Sequence, residues 1–503
     1  MHKQILFPDS PLRQVRALAE EHGVEVWPVG GAVRDALLDR PIHDWDVAVE
    51  GDAIGLARAV ADALGGAFYP LDVERDAGRV VLDRPPEPRM ELDFAALRGP
   101  NLEADLRGRD FTINAMAVTA DGQLVDPTGG WADLQARLVR APDETAFDDD
   151  PLRMLRAVRL VAELPLKLEA KTAAWIIQRA HTLHRAAPER IRDEIARTLA
   201  APDPAGHLHM LDELGLLEQV IPEIAPLKGQ EQSPPHRFDV WWHSLQVVDG
   251  VAAVLAALEG HTPQPDYADP PPVAWDDVAA RLGRFATPIG ERLQARLKGG
   301  RTAHTLLHLA ALGHDLGKPL TCSQDREGRL HFYSHDQVGA EIVAARLQAL
   351  RFSHPETEWV ERVVLAHLRP AHLARVKGAV TRRAIYRFFR ATGAAGVGVV
   401  LLSLADHLAT WGPHLQPGRW ERRLEVAERL LCHYFERQED TIDPPALLSG
   451  HDLIAQLGLA AGPELGRLLE KIREAQAAGE VQNKEEALAL ARAIAGGNKR
   501  TTG

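Results

Sequence analysis

Two glycines followed by two aspartates are the first residues whose types and spacing could support chemistry. Gly30 and Gly31 lie between a strand pattern and a helical pattern, and Asp44 and Asp46 follow on the next predicted strand. Paired glycines at such a turn let backbone N–H groups approach phosphate oxygens without interference from a Cβ atom. Carboxylates at positions i and i+2 of a strand project from one face. Together they predict Mg²⁺-dependent phosphoryl or nucleotidyl transfer.

Two charged residues could complete this site. Arg34 is predicted one turn into the helix after the glycines, where a cation can meet phosphate or instead pair with Asp35 or Glu50. Asp93 stands between apolar neighbours on another predicted strand and is a candidate third carboxylate. A turn or cap is an equally common use of an aspartate at a strand end.

A second polar group follows in the stretch from Arg109 to Met116. Arg109, Asp110 and Asn114 could contact a triphosphate and a ribose, while Phe111 anchors the segment. A capped helix start is the alternative interpretation of the same residues.

A third group could recognise a base. Asp150 and Arg153 are three residues apart, so on a helix they share a face. A carboxylate accepts from the exocyclic amine of cytosine or adenine, and a guanidinium donates to the adjacent ring nitrogen. Uracil and guanine present a carbonyl in place of the amine and would be refused. A plain N-capped helix with an ion pair is the alternative that spacing alone favours.

Histidines and aspartates form a separate set in the second half of the chain. His243, the adjacent pair His314 and Asp315, and Asp406 fall on helical patterns. A metal hydrolase needs neutral imidazoles and carboxylates that converge from separate helices. The chain has 22 histidines, so some will fall near any other residue by chance.

The surrounding patterns predict a small α+β head followed by a long all-α body. Strand patterns cover 24–27, 45–49, 79–82 and 91–94, and an amphipathic helix over 53–64 ends at a Gly-Gly pair. From about Asp148 onward the patterns are helical. Stretches rich in proline and glycine then suggest four segments, namely a head over 1–142, a helical neck over 143–228, a metal-binding domain over 229–412 and a helical tail over 413–503.

Composition limits the class of protein. A chain of 503 residues is too long for one core. Its net charge of −13 speaks against a generic nucleic-acid binder, although arginines gather around 153–159, 179–192 and 375–390. Each arginine cluster is either a local RNA contact or a solvated helix face.

The expected location is the cytoplasm. Only two cysteines, Cys322 and Cys432, occur, which indicates a reducing compartment. The N-terminus lacks a secretory pattern. No segment is expected to reach the apolar length of a membrane span, so no membrane partner is expected.

Taken together, these motifs resemble the class II (bacterial and eukaryotic type) tRNA nucleotidyltransferase and poly(A) polymerase family. The matching segments run in family order: Gly30-Gly31 to Asp35 with Asp44-x-Asp46, Arg109 to Ala115, the hinge motif Asp126 to Leu134, Asp149-Asp150-x-x-Arg153 with Arg156 and Arg159, and a weaker fifth match at Glu189 to Arg192 with Glu194. The resemblance implies a polymerase-beta-like head that adds C and A to tRNA 3′ ends from CTP and ATP.

The same resemblance assigns roles. Asp44 and Asp46 would be catalytic and would hold Mg²⁺. The residues implied in nucleotide binding are Gly30, Gly31, Arg34, Arg109, Asp110, Asn114, Asp150, Arg153, Arg156 and Arg159.

Three departures from the family pattern stand out. Asp149 replaces the usual glutamate, and Gly108 stands where a second arginine often precedes Arg109. The interval from Asp93 to Asp105 is short. Family members that complete the whole CCA end usually carry a longer flexible loop there, so a CC-adding specialist is an open alternative.

The histidine set resembles the HD metal-dependent phosphohydrolase family. That resemblance makes His243, His314, Asp315 and Asp406 ligands of a divalent transition metal or Mg²⁺. His335 and His367 fit the extra ligands of two-metal members, and Lys318 could touch a substrate phosphate. A 2′,3′-cyclic phosphate or 3′-phosphate on RNA is the implied substrate.

The leading hypothesis is therefore a CCA-adding enzyme with a phosphohydrolase domain. A CC-adding, A-adding or poly(A) enzyme shares the same motifs. A metal phosphohydrolase with an RNA-binding head and a non-catalytic tRNA-binding protein are alternatives of other classes. The oligomeric state is left open.

Overall fold

The computed structural model describes residues 11–42, 44–83, 89–267, 269–271 and 273–498. It divides into two compact units, residues 1–187 with 213–219, and residues 188–212 with 220–503. The predicted α+β head and all-α body are confirmed. The four predicted segment boundaries remain predictions.

The first unit is built around a seven-stranded mixed sheet with strand order β3-β4-β5-β2-β1-β6-β7. Only the central pair β2 and β5 is parallel. Its strands are β1 Glu25–Val29, β2 Asp44–Glu50, β3 Ala67–Asp72, β4 Ala77–Leu82, β5 Met90–Ala96, β6 Ala117–Val118 and β7 Leu124–Val125; β8 Leu138–Val139 pairs separately with β9 Lys167–Leu168.

Helices cover and extend this sheet. They are α1 Leu12–Glu21, α2 Gly31–Leu37, α3 Ala53–Leu64, α4 Leu102–Arg107, α5 Gly130–Gln135, α6 Ala146–Asp149, α7 Arg153–Glu163 and α8 Ala170–Arg179, with 3₁₀ turns at Thr112–Asn114 and Ala180–Arg185. The helix predicted over 53–64 has those bounds, begins at the capping residue Asp52 and ends at Gly65, whose φ is 62°.

The alternation of β2 decides which face carries its acids. Trp45, Val47 and Val49 are buried against α1 and α3 on one side of the sheet. Ala48 packs in a different cluster with Val29 on β1. Because side chains alternate along a strand, Asp44 and Asp46 lie on the face opposite to α3.

The second unit is helical and follows in chain order. Its elements are α9 Pro188–Ala200, α10 Pro204–Glu213, α12 Val240–Leu258, α13 Val273–Leu282, α14 Ala286–Gln294, α15 Ala303–Gly313, α16 Lys318–Thr321, α17 His335–Ala349, α18 His354–Ala366, α19 Arg369–Arg375, α20 Arg382–Thr392, α21 Gly396–Trp411, α22 Pro417–Glu436, α23 Gly450–Leu457, α24 Pro463–Ala478 and α25 Lys484–Asn498, with 3₁₀ turns at Pro222–Leu227, Gly283–Phe285, Gly393–Ala395 and Gly412–His414, a π-helical turn at Gln438–Ile442, and the hairpin β10 Cys322–Gln324 with β11 Leu330–Phe332. The short helix α11 Leu217–Val220 falls almost wholly in the first unit.

Two stretches of this unit are more apolar than the composition suggested. Val240–Leu258 and Arg382–His414 are long and apolar enough to cross a membrane by length and composition alone. The expectation that no segment approaches this length is therefore wrong for these two. In the most apolar 18 residues of each stretch, 72% and 78% of the residues are buried inside the protein, so these apolar side chains belong to its helical core.

Candidate functional sites

The glycine turn packs directly on an acidic side chain. Gly30 has a φ of 68°, and a Cβ atom placed there would lie 2.9 Å from Oδ2 of Asp46 and 3.1 Å from Nη1 of Arg109. Only glycine combines this backbone conformation with this contact. At Gly31 a Cβ atom would meet only ordinary contacts, the nearest at 3.6 Å.

Three aspartates lie on the two parallel central strands. Asp46 on β2 is in register with Asp93 on β5, while Asp44 is exposed at the start of β2. Arg79 on β4 donates to both carboxylate oxygens of Asp93, at 2.7 and 2.8 Å. Asp93 is therefore engaged by an arginine, whereas Asp44 and Asp46 present oxygen ligands of the type that Mg²⁺ prefers.

Burial raises the pKa of Asp46, with Arg109 opposing this effect and Asp93 and Asp110 adding to it. A carboxylate whose ionised form is disfavoured by burial and by neighbouring acids would gain from a bound cation. The donor set and its electrostatics thus fit a divalent metal.

The predicted nucleotide-binding residues form a hydrogen-bonded chain. Arg34 donates to Oδ1 of Asn114 at 2.8 Å, and Asn114 donates to Oδ1 of Asp110 at 3.0 Å. Arg156 on α7 donates to the other Asp110 oxygen at 2.9 Å. Burial by itself raises the pKa of Asp110, but the charge and hydrogen bond of Arg156 outweigh it and the net pKa is lowered. Arg34 also pairs with Asp35, as the alternative interpretation proposed.

Arg109 is held by the helix that precedes it, α4. Its guanidinium donates to Oδ2 of the buried Asp105 at 3.1 and 3.2 Å, four residues earlier. Asp105 also accepts from the backbone N–H of Arg98 at 3.0 Å. The arginine is therefore fixed beside the glycine turn before any ligand arrives.

The helix of the base-recognition motif begins later in the chain than the sequence predicted. Helix α7 starts at Arg153, and Asp150 precedes it with an extended backbone and accepts from the N–H of Leu152 at 3.2 Å. Arg153 donates to the carbonyl oxygens of Gly108 at 3.1 Å and Ala146 at 3.3 Å. Arg153 thus ties α7 to the segment that precedes Arg109.

The last predicted arginine of this motif makes an ion pair within its helix. Arg159 donates to Glu163 at 2.5 Å, four residues further along α7. This contact is the ordinary i, i+4 pair of a helix.

The hinge motif supports the turn that carries Asn114. Asp126 accepts from the N–H groups of Gly130 and Trp131 at 2.7 and 2.9 Å. A Cβ atom on Gly130 would lie 2.0 Å from the carbonyl oxygen of Thr112. The two segments are thus in backbone contact.

In the second unit, all six predicted ligands come together. His243 lies in the first turn of α12, His314 and Asp315 follow α15, His335 opens α17, His367 follows α18, and Asp406 lies on α21. Two groups have ligand atoms within 4.8 Å of one another, and Asp315 belongs to both: His243, His314 and Asp315, then Asp315, His335 and His367. His243 Nε2 is also 3.2 Å from Oδ1 of Asp406.

Backbone carbonyls orient three of these imidazoles. The Nδ1 atoms of His314, His335 and His367 lie 2.7, 2.6 and 2.6 Å from carbonyl oxygens three residues earlier. A ring that donates from Nδ1 presents the lone pair of Nε2, which is how second-shell contacts prepare a metal ligand. The Nε2 atoms of His243 and His314 lie 3.6 and 3.0 Å from Oδ2 of Asp315, so these ligand atoms converge on one point.

The electrostatics of this cluster also fit a metal. Burial lowers the pKa of His243 and brings that of His367 to about 4, so these rings are neutral at pH 7. Although burial opposes its ionisation, Asp315 has a pKa well below its usual range because His314 and Lys318 face it. The neutral rings of His243 and His367 and the ionised Asp315 suit a divalent cation. Although burial opposes it, Asp315 raises the pKa of His314, so a cation bound there would displace a proton from that ring.

Comparisons with known proteins cover most of the chain. Four family models match: Poly A polymerase head domain over 26–140, probable RNA and SrmB-binding site of polymerase A over 165–228, HD domain over 280–411, and tRNA nucleotidyltransferase domain 2 (putative) over 427–491. The A-adding tRNA nucleotidyltransferase of Deinococcus radiodurans is 36% identical over 92% of this chain and 94% of its own length. The chain belongs to the tRNA nucleotidyltransferase and poly(A) polymerase family.

Further relatives of this nucleotidyltransferase differ in their named activities. The CC-adding tRNA nucleotidyltransferase of Thermus thermophilus is also 36% identical, over 93% of each protein. A solved structure titled Thermotoga maritima CCA-adding enzyme complexed with tRNA_CCA covers 98% of this chain and 97% of its own, with a TM-score of 0.59 and 19% identity. At that identity the likeness shows the shared fold.

Sequence reasoning about this nucleotidyltransferase missed residues around the histidine cluster. The ring of His236 lies 5.1 Å from that of His243, and burial lowers its pKa to about 3. Gln232 accepts a hydrogen bond from Lys318. Both lie in the irregular segment before α12, where no helical or strand periodicity predicts which way a side chain points. Arg423 on α22 interacts electrostatically with Asp406 and was missed because it lies far along the chain.

Proposed function

We propose that this protein adds C and A nucleotides to tRNA 3′ ends without a template, from CTP and ATP. The observation that carries the proposal is the Gly30 turn packed against Asp46, with Asp44 two residues away on the same strand face. Nucleotidyl transfer needs a phosphate cradle and a metal-binding carboxylate pair side by side. The relatives named for A and CC addition extend over nearly the whole chain.

Asp44 and Asp46 would hold Mg²⁺, which supplies charge neutralisation for an in-line displacement at the α-phosphate. The backbone at Gly30 and Gly31 would receive phosphate oxygens, and Arg34 and Arg109 would add positive charge there. Both arginines are already fixed by Asn114 and Asp105, so little ordering remains on binding. Asp150 and Arg153 would select cytosine and adenine over uracil and guanine.

A CC-adding specialist is a second candidate, and one observation favours it. Strand β5 ends at Ala96 and helix α4 begins at Leu102, so the connection that is longer in complete CCA-adding enzymes is short here. A short connection has little freedom to rearrange the site when the incoming base changes from C to A. The A-adding and poly(A) alternatives share the remaining motifs.

We further propose that the histidine cluster is a metal-dependent phosphohydrolase site for a 2′,3′-cyclic phosphate or 3′-phosphate on RNA. Six converging ligands and the neighbouring Lys318 support it. Removal of such a phosphate would give the 3′-hydroxyl that nucleotidyl transfer requires, so the two activities would serve one repair sequence. This use of RNA ends fits a cytoplasmic protein.

Extension of tRNA transcripts tests the first proposal. Transcripts that lack CCA, CA or only the final A would be given CTP and ATP singly and together, and products would be sized at single-nucleotide resolution. We expect growth to CCA; a stop at CC identifies the specialist. A single added A would indicate an A-adding enzyme, and a long A tail would indicate a poly(A) enzyme. If protein that binds tRNA extends none of the transcripts, the proposal is contradicted.

Two reciprocal variants separate the sites. Asp46→Ala should abolish extension and leave hydrolysis of RNA 3′-phosphates intact, because its carboxylate lies in the head. His314→Ala should do the opposite. Circular dichroism and metal content control for misfolding. Loss of both activities in a folded Asp46→Ala protein would rule out two independent sites.

A further inference from the structure

Arg423 is a cation beside the histidine cluster without a complete set of acceptors. It lies on α22, which packs against α21, the helix that carries Asp406. Its Nη1 atom is buried and makes no hydrogen bond within the described residues. Buried guanidinium N–H groups normally have acceptors, because leaving one unpaired costs free energy. An arginine in this state is suited to an anionic ligand.

Other positive side chains interact electrostatically with the residues around Arg423. Arg375 on α19 and Asp406 are the two charges that influence Arg423. His372, also on α19, is influenced by Arg375, Asp336, Arg423 and Arg369. Helix α22 packs against both α19 and α21, so the cationic side chains of α19 and α22 stand on elements at one edge of the metal cluster, the edge that carries Asp406.

This edge is the accessible side of the cluster. The side chains of His243, His314 and Asp315 are only 1–2% exposed, whereas that of Asp406 is 22% exposed. A substrate that reaches the ligands beside Asp406 consequently passes the cationic edge. Lys318, which pairs with Asp315 at 2.5 Å, lies within the buried centre instead.

The neighbouring residue fixes this edge in place. Arg422 donates to the carbonyl oxygens of Ala374 at 3.4 Å, Val376 at 3.1 Å and Gly378 at 2.5 Å. It also pairs with Glu425 at 2.6 Å. These bonds tie the end of α19 and the residues after it to α22, the helix that carries Arg423.

We propose that Arg423 and Arg375 form a second phosphate subsite next to the histidine cluster, so that the preferred substrate is an RNA 3′ end with phosphates on both sides of the terminal nucleoside. This inference rests on the proposed phosphohydrolase function. In the reaction, water oxygen bonds to the terminal phosphorus, the bond from phosphorus to O3′ breaks, and O3′ receives a proton. The 5′-phosphate is unchanged and serves only to bind, which makes Arg423 a specificity-determining residue.

Two small substrates test whether a second phosphate contributes to binding. Cytidine 3′,5′-bisphosphate carries both phosphates, and cytidine 3′-monophosphate carries only the scissile one. We expect the full-length protein to prefer the bisphosphate, and Arg423→Gln to raise KM for the bisphosphate about tenfold or more, the loss of one charge-assisted phosphate contact. KM for the monophosphate should change less than twofold. Arg423→Lys should recover part of the preference.

Arg419→Gln is the matched control, because it removes one positive charge from the exposed start of the same helix, where Arg419 lies over Trp411. It should leave both KM values unchanged. Metal content per chain and tRNA extension should be the same in all three variants. Equal losses on both probes, or no preference in the unaltered protein, would overturn the subsite.

Binding of the two probes, measured by calorimetry, tests the subsite separately from hydrolysis. If the unaltered protein hydrolyses neither probe, the proposed hydrolysis of 3′-phosphates fails, and binding alone decides the subsite. Tighter binding of the bisphosphate than of the monophosphate, lost in Arg423→Gln and kept in Arg419→Gln, supports it. Equal binding of the two probes contradicts it.

Discussion

At the scale of single residues, the head site is prepared by contacts among its own charged groups. Arg109 is paired with Asp105, and Arg156 is paired with Asp110, before any nucleotide is present. Paired charges keep their geometry at little cost on binding, which is the condition for fast transfer. The position of Asp46 depends on a smaller feature, the missing Cβ atom of Gly30.

Gly30→Ala should therefore reduce nucleotidyl transfer strongly. The added methyl group would lie 2.9 Å from Oδ2 of Asp46, and the φ of 68° is unfavourable for alanine. Because a displacement of about 1 Å at a catalytic group can cost on the order of 100-fold in rate, we expect a loss of that order in kcat/KM for CTP.

Gly31→Ala is the matched control for this prediction. It introduces only ordinary contacts at 3.6 and 4.0 Å, so transfer should remain within a few fold of the unaltered protein. Steady-state extension of a tRNA transcript measures both variants. Equal activity of the two would show that the glycine turn does not position Asp46.

At the scale of elements, each ligand of the histidine cluster depends on where its helix begins or ends. Helix α18 presents His367 at its end, and its start is fixed by a capping box between Ser353 and Glu356. Glu356 is fully buried and also accepts from the backbone N–H and guanidinium of Arg301. One carboxylate thus joins α18 to the start of α15.

Glu356→Ala should destabilise the protein by roughly 1–3 kcal/mol, because it removes a buried acceptor of Ser353 and Arg301, although Arg301 keeps its pair with Asp193. Glu358→Ala on the same helix breaks an exposed pair with Arg362 and should cost about 0–1 kcal/mol. Thermal unfolding followed by circular dichroism compares the two. Similar unfolding temperatures for both variants would contradict the proposed importance of the buried carboxylate.

The arginines of α20 illustrate the same dependence on neighbouring elements. Arg383 and Arg387 pair with Glu474, and Arg390 pairs with Glu470, both on α24. This part of the 375–390 cluster therefore makes ion pairs within the unit. Sequence alone left these arginines open between an RNA contact and a solvated helix face, because the acidic partners lie 80 to 91 residues away.

At the scale of the whole molecule, the second unit carries several buried histidines that are neutral in the fold. Burial, followed by the neighbouring His304, lowers the pKa of His308 to about 3. Burial and Arg429 lower that of His433 to about 4. An unfolded histidine titrates near 6.5, so below that pH the unfolded chain binds protons that the folded chain does not.

The unit should therefore lose stability as the pH falls from about 6.5 toward 4, each such histidine contributing up to about 1.4 kcal/mol per pH unit. His308→Leu and His433→Gln should each flatten this dependence. His261→Gln should not, because His261 is 71% exposed. Unfolding temperatures at pH 7, 6 and 5 measure the effect, and an unchanged slope in His308→Leu would disprove its contribution.

The sequence by itself determined the residue types, their order and the local elements. Alternation and end signals were enough for the helix over 53–64 and the central strands, because these features depend on neighbours within a few residues. The order of the motifs was enough for the family. Register and packing required the tertiary structure. Arg79 forms an ion pair with Asp93, Arg153 donates to the carbonyl oxygen of Gly108, and Arg423 interacts electrostatically with Asp406. These contacts join residues of different elements, and the direction of a side chain across such distances is set by packing, which no local pattern records.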